Sequence, residues 1–207
     1  MIIDPLVLLA FVPAGLALNL TPGADMMFCL GLGLRSGQRA AMAASAGISA
    51  GGMVHITLAG LGLGAMVAAL PWLFDVIRWI GVAYLLWLAL GALRSRALRP
   101  DAPALGAARA FRAGMLVNLT NPKVILFVLA FVPQFVDPAR GAILPQFLIF
   151  GLVLAIGGFF INGAVGVFAG SLGRRMATSA RFSRGLGAIS AVIFTALAAR
   201  LALLERS

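Results

Sequence analysis

Six apolar runs, at about 5–34, 40–69, 71–93, 112–136, 143–171 and 184–204, take up most of the chain, and each is long enough for a helix to cross a bilayer. None shows a strong polar face, so packing them together leaves apolar surface pointing outward as well as inward. Lipid is the solvent that tolerates such a surface. Composition agrees: 62% of the 207 residues are hydrophobic and 11% are charged, whereas a soluble domain is roughly a quarter charged. The expected fold is an all-α integral membrane protein of six transmembrane helices. It forms a single transmembrane domain over 1–207, with little chain left for anything outside the bilayer.

The net charge of +10 does not point to nucleic acid, because the basic residues sit between apolar runs and do not interleave with aromatics in a polar segment. Arg35 and Arg39 follow the first run, and Arg174, Arg175, Arg181 and Arg184 follow the fifth. Arg94, Arg96, Arg99, Arg109 and Arg112 mark the connection at 94–111, which also holds Pro100 and Pro103 and reads as a basic cytoplasmic linker. The other side shows mainly Asp4, Asp75, Asp137, Arg140, Glu205 and Arg206. Arginine-rich short loops stay in the cytoplasm, so both termini are expected outside. Met1-Ile2-Ile3-Asp4-Pro5 lacks the basic start of a cleavable signal, and the first span is expected to be retained. Cys29 is the single cysteine, which excludes an internal disulfide.

The chain also repeats itself. Ala14-Gly15-Leu16-Ala17-Leu18-Asn19-Leu20-Thr21-Pro22 is echoed by Ala113-Gly114-Met115-Leu116-Val117-Asn118-Leu119-Thr120-Asn121-Pro122, and Arg78-Trp79-Ile80-Gly81 more weakly by Arg184-Gly185-Leu186-Gly187. Span one then corresponds to span four, with repeat A at about 5–93 and repeat B at about 112–204. Three spans is an odd number, so the second copy enters from the opposite side, the inverted plan of many secondary transporters.

Each copy breaks its first helix. Proline donates no hydrogen bond, so Pro22 frees the carbonyl of Leu18 and Pro122 that of Asn118. Thr21 and Asn121 are good N-cap residues followed by proline at the first helical position, and each span is expected as two half-helices with restarts at these caps. In inverted copies both restarts lie near the midplane and turn their positive ends toward one place. Asp25 and Lys123 flank the breaks. Charges at that depth face a cavity or each other, so a mutual Asp25–Lys123 pair stands beside a role in which Lys123 meets a carboxylate and Asp25 an ammonium group or a proton. His55, inside span two, suits proton coupling; a packed, hydrogen-bonded histidine is the other reading. For Asn162 and Tyr84 an interhelical hydrogen bond is expected. Ala43, Gly47 and Gly51, and Gly166 with Gly170, form small-residue ridges for close helix packing. The sequence carries no phosphate loop, no metal-ligand cluster and no usable Ser/His/Asp set, so neither an enzyme nor a metal or other cofactor is expected.

Asn19-Leu20-Thr21-Pro22-Gly23-Ala24-Asp25, Gly81-Val82-Ala83-Tyr84-Leu85, Asn121-Pro122-Lys123 with Phe127, and Pro133-Gln134-Phe135 resemble the lysine exporter (LysE/RhtB) family over nearly the whole chain. The family pattern has a second proline where this chain has Ala24. The resemblance implies a bacterial inner-membrane exporter of amino acids or close derivatives, of the neutral homoserine, threonine and homoserine-lactone type or a neighbour, driven by the proton gradient. By motif match, Asn19, Thr21, Pro22, Gly23 and Asp25 line the first break, and Asn121, Pro122 and Lys123 the second, with Asn118 and His55 beside them. The expected partners are the amino-acid substrate, the proton and the bilayer. A homo-oligomer is allowed. Export of a cation or another small solute, or a nontransporting scaffold, remain the alternatives.

Overall fold

The computed structural model describes residues 2–69, 76, 79–80, 82–84, 86–87, 89–90, 105–169 and 179–202, and these are helical apart from short connections. The first helix, α1 (Pro5–Leu20), starts where Asp4 Oδ1 accepts from the Leu6 N–H at 2.9 Å with Pro5 in the first turn, a side-chain cap on an otherwise unsatisfied donor. It is followed by α2 (Ala24–Ser36), bent from it by 53°. Gly37 alone separates α2 from α3 (Gln38–Ala69); its φ of 80° is left-handed, a conformation that glycine adopts without a steric penalty. The helices α4 (Ala107–Leu119) and α5 (Pro122–Ala130) form a second bent pair, turned by 55° and continued by a 3₁₀ turn at Val132–Phe135. Then come α6 (Ile143–Val167) and α7 (Ala180–Ala202).

Gln38–Gly62 and Ile143–Val167 are each long and apolar enough to cross a membrane, and each bent pair passes the same test when its two helices are taken together, so the described residues hold two to four candidate spans. The chain is thus an all-helical membrane protein. At 1.5 Å per residue, α6 is about 38 Å long and exceeds the roughly 30 Å hydrocarbon layer, which tilt or projection accommodates. Leu9, Leu58, Phe160 and Val192 are exposed on its outer surface, as lipid-facing side chains are. Most of span three, the linker from Arg94 to position 104, and the segment with Gly170, Arg174 and Arg175 lie outside the described residues.

One boundary differs from expectation. The linker was expected to run to 111, but α4 begins at Ala107 behind the extended N-cap Gly106, so Arg109 and Phe111 are helical. Arg109 and Arg112 mask an apolar face: Ala110 is fully buried against Cys29, Leu32, Ala40 and Ala44, and Leu105 N–H is held by Ser36 Oγ at 2.8 Å.

The helices α3 and α6 pack along one another at the centre, with α4 against α3, α2 against both, and α1 between α6 and α7. The larger core joins Phe11, Phe127, Phe131 and Phe150, with ring centroids 4.7 Å apart for Phe11–Phe150 and 4.8 Å for Phe127–Phe131. Aromatic pairs at such distances add to the burial of their area. This core includes Leu18 and Val124, next to the two bends.

Candidate functional site

Both freed carbonyls lie within reach of a group from the other half of the chain. Leu18 O accepts from Lys123 Nζ at 2.9 Å, and the same ammonium donates to Thr21 O at 2.9 Å. Asn118 O accepts from the Asn121 N–H at 2.9 Å and lies 3.3 Å from His55 Nε2, a donor to it in the Nε2-protonated form. Tyr84, from the described part of span three, donates its hydroxyl to Lys123 O at 2.6 Å, the interhelical bond expected of it. Lys123 is therefore held at both ends.

The two restarts are unlike. At the second, Asn121 caps as expected: Oδ1 accepts from the Lys123 N–H at 3.0 Å and Pro122 opens α5. At the first, the expected cap is not formed. Thr21 ends α1 with its hydroxyl turned back to Ala17 O at 2.6 Å, and α2 resumes only at Ala24 behind Gly23, without a side-chain cap. Lys123 Nζ reaches into this extended stretch through its bond to Thr21 O, and a Cβ at Gly23 would lie 3.3 Å from it. Thr120 makes the same backward bond as Thr21, to Leu116 O at 2.9 Å, so the repeated threonine plays one role twice.

The repeated asparagines are exchanged between halves. Asn19 donates Nδ2 to Leu154 O of α6 at 3.1 Å and lies on Gly157 and Gly158, where a Cβ would stand 2.9 and 3.2 Å from its amide atoms. Asn118 lies on Gly51 of α3, where a Cβ would meet its Oδ1 at 3.1 Å. It donates Nδ2 to Asp25 Oδ2 at 2.9 Å. These two Gly-Gly pairs, in spans two and five, are a sequence signal that reading the chain for proline and charge passes over. Ser49, also missed, donates to Ala155 O at 2.9 Å beside them.

Asp25 and Lys123 are not directly paired, whereas Arg140 pairs with Asp4 and Asp137. Asp25 is 8% exposed and its Oδ1 has no partner, nor has Oδ1 of Asn118, which is 3% exposed. The Oδ1 of Asn162 is likewise buried without a partner. An unsatisfied buried polar atom costs about 1–3 kcal/mol.

A cavity of about 40 Å³ lies here, walled by Asn19, Asp25, Ser49 and Asn118 on its polar side and by residues such as Ile56 and Val128 on the other. That is space for about two or three waters. A second cavity, of about 320 Å³, opens between α3 and α5 with His55 and Leu129 on its wall. Val128 belongs to both walls and separates them.

Removal of the ammonium checks the structural part of this geometry. Lys123→Met leaves two buried carbonyls without donors, and a loss of about 2–5 kcal/mol is expected. In detergent the thermal midpoint should fall by several degrees; an unchanged midpoint would show that Lys123 does not hold the first break.

The fold is thus that of a helical membrane protein with two bent helix pairs, whose facing residues include buried acceptors without a partner. The chain belongs to the LysE type translocator family, whose profile matches residues 16–205. It is 34% identical over 150 residues to the homoserine/homoserine lactone efflux protein of Salmonella typhimurium, covering 71% of this chain and 72% of that one. It is 30% identical over 191 residues to the leucine efflux protein of Enterobacter sp., covering 90% of each. An uncharacterized membrane protein of Vibrio cholerae is 37% identical over 169 residues, 80% of this chain and 82% of its own. No solved structure matches the chain.

Proposed function

We propose that the protein exports amino acids or close amino derivatives of the neutral type across the bacterial inner membrane, in exchange for protons, by alternating access around the central cavity. The observation that carries this is the exchange of Asn19 and Asn118 between halves around the vacant Asp25 and Asn118 oxygens. Two half-chains joined this way rock against each other about a shared polar centre, as inverted repeats of three spans do. The names of the efflux relatives supply the substrate class.

In this reading both termini lie outside, and repeats A and B are divided by the basic linker. Asp25 receives the substrate ammonium or the coupled proton, and Lys123 and His55 hold the carbonyls that the breaks expose. Release follows when the two halves rock apart and open the centre to the outer side. The cavity is too small for an amino acid as it stands, so binding widens it.

Purified protein in vesicles preloaded with labelled leucine, homoserine or threonine tests the class. With the exterior acidic, efflux above that of protein-free vesicles is expected, and a protonophore should collapse it. Efflux unaffected by the protonophore would overturn proton coupling, and no movement of any amino acid through folded protein would overturn the transport reading.

A further inference from the structure

We infer that Asn162 is a specificity residue of the central site: its vacant amide oxygen reads a hydroxyl on the substrate's side chain, so that the protein prefers hydroxylated amino acids to apolar ones of the same size. This rests on the transport reading above and narrows it by the side chain, through a residue to which that reading gives no part.

Asn162 stands in α6 about one helical turn beyond Gly158, a residue of the cavity wall, and shares a helix face with it. A Cβ at Gly158 would lie 3.9 Å from Asn162 Nδ2 and 3.2 Å from Asn19 Oδ1, so both amides come up to the bare backbone of that wall residue. The polar side of the cavity, made by Asn19, Asp25, Ser49 and Asn118, therefore continues past Gly158 to Asn162. Since the cavity is smaller than an amino acid, a bound one extends beyond the present wall, and past Gly158 the group it meets is Asn162. For a purely structural residue the position is badly served. Asn162 is 3% exposed, and its Oδ1 is buried with no partner among the described residues. Gln146, the other amide in α6, is engaged at both atoms: Oε1 accepts from the Asp137 N–H at 2.9 Å and Nε2 donates to Asp137 O at 2.8 Å. If position 162 supplied packing alone, leucine, branched at the same carbon, would serve without a polar atom left dry.

The open group selects the chemistry. An amide presents an acceptor and donors side by side, and a hydroxyl, which donates and accepts, answers them without bringing a charge. A methyl in the same place leaves Oδ1 unpaired. A pocket built to hydrogen-bond a substrate hydroxyl rejects the analogue that lacks it far more strongly than an apolar pocket rejects one methylene. A cationic side chain would bring a second charge to be matched, and the carboxylate of the wall, Asp25, is already taken up by the α-ammonium or the coupled proton.

Two pairs of amino acids test this with the intact purified protein: L-homoserine against L-norvaline, and L-threonine against L-valine, in each of which a hydroxyl stands where the other has a methyl. Half-saturation of thermal stabilisation in detergent is read for all four, on the native protein and on Asn162→Leu. The native protein should bind at least one hydroxylated member about tenfold more tightly than its partner, the effect of one hydrogen bond to a group otherwise left unpaired. In Asn162→Leu that preference should vanish or reverse, and the midpoint without ligand should be no lower than the native one, because the substitution removes a buried polar atom that has no partner. Asn162→Ala, which adds no bulk, carries the same comparison if leucine overpacks the site. Preferences below about threefold in both pairs, as a water held at Asn162 would give, would overturn the inference and leave transport standing. A tenfold preference that persists in both variants would overturn it too, since the hydroxyl would then be read elsewhere. No stabilisation of the folded native protein by any of the four would remove the transport reading and the inference with it.

Discussion

Asp25→Asn is expected to reduce efflux by about a hundredfold or more while leaving the folded protein in the membrane, since one lost charged hydrogen bond and its charge are together of that order. Asparagine has the shape of aspartate and keeps an oxygen for the Asn118 amide, which donates to Asp25 Oδ2 at 2.9 Å. The substitution therefore removes the charge and spares the contact. A structural role for Asp25 predicts the reverse, with efflux kept and the thermal midpoint lowered. Vesicle efflux and detergent melting, measured on the same preparation, separate the two. Exchange of labelled for unlabelled leucine at equal pH adds a second division. If Asp25 holds the ammonium, exchange is lost with net efflux; if it carries only the coupled proton, exchange survives and net efflux driven by the pH gradient does not. Efflux at the wild-type rate would remove Asp25 from the site.

The parts of this arrangement that depend on covalent chemistry were legible in the sequence. Pro22 and Pro122 cannot donate, so the orphaned carbonyls of Leu18 and Asn118 followed from two letters, and so did the bends there, 53° and 55°. The partners of those carbonyls were not legible. Lys123 reaches Leu18 O across 105 positions, and the alternative of a direct pair with Asp25 was as consistent with the sequence. The choice depends on how far apart the half-helices stand, which is a matter of tertiary packing. The cap at Thr21 is not formed because its hydroxyl donates backward to Ala17 O at 2.6 Å, which ends α1. Ala107 to Phe111 was misassigned to the linker because two arginines hide an alanine face that is buried only when α2 and α3 are in place. The Gly51-Gly52 and Gly157-Gly158 pairs stood in the sequence, but glycine in an apolar helix has several meanings, and only the facing asparagines single out this one.

Replacing Gly47 with leucine should prevent the protein from folding, whereas Gly62→Ala should leave the thermal midpoint within about one or two degrees, as surface substitutions commonly do. The contrast comes from the backbone. A Cβ at Gly47 would collide with Phe111 O of α4, and one at Gly114 of α4 would collide with Ala44 O of α3, so two helices meet main chain to main chain at both positions. A carbonyl oxygen fixed in a helix cannot turn away as a flexible side chain can, and relief requires the helices to separate along their length. The cost exceeds about 3 kcal/mol, the upper range for an overpacked core site. Gly62 has nothing within 4 Å of the same position. The same construction recurs where Gly33 of α2 meets Gly166 O of α6, and Gly33→Leu should fail as Gly47→Leu does. Membrane-inserted, detergent-extractable protein scored by its elution profile distinguishes these outcomes; a monodisperse Gly47→Leu protein would mean that α3 and α4 can part without loss of the fold.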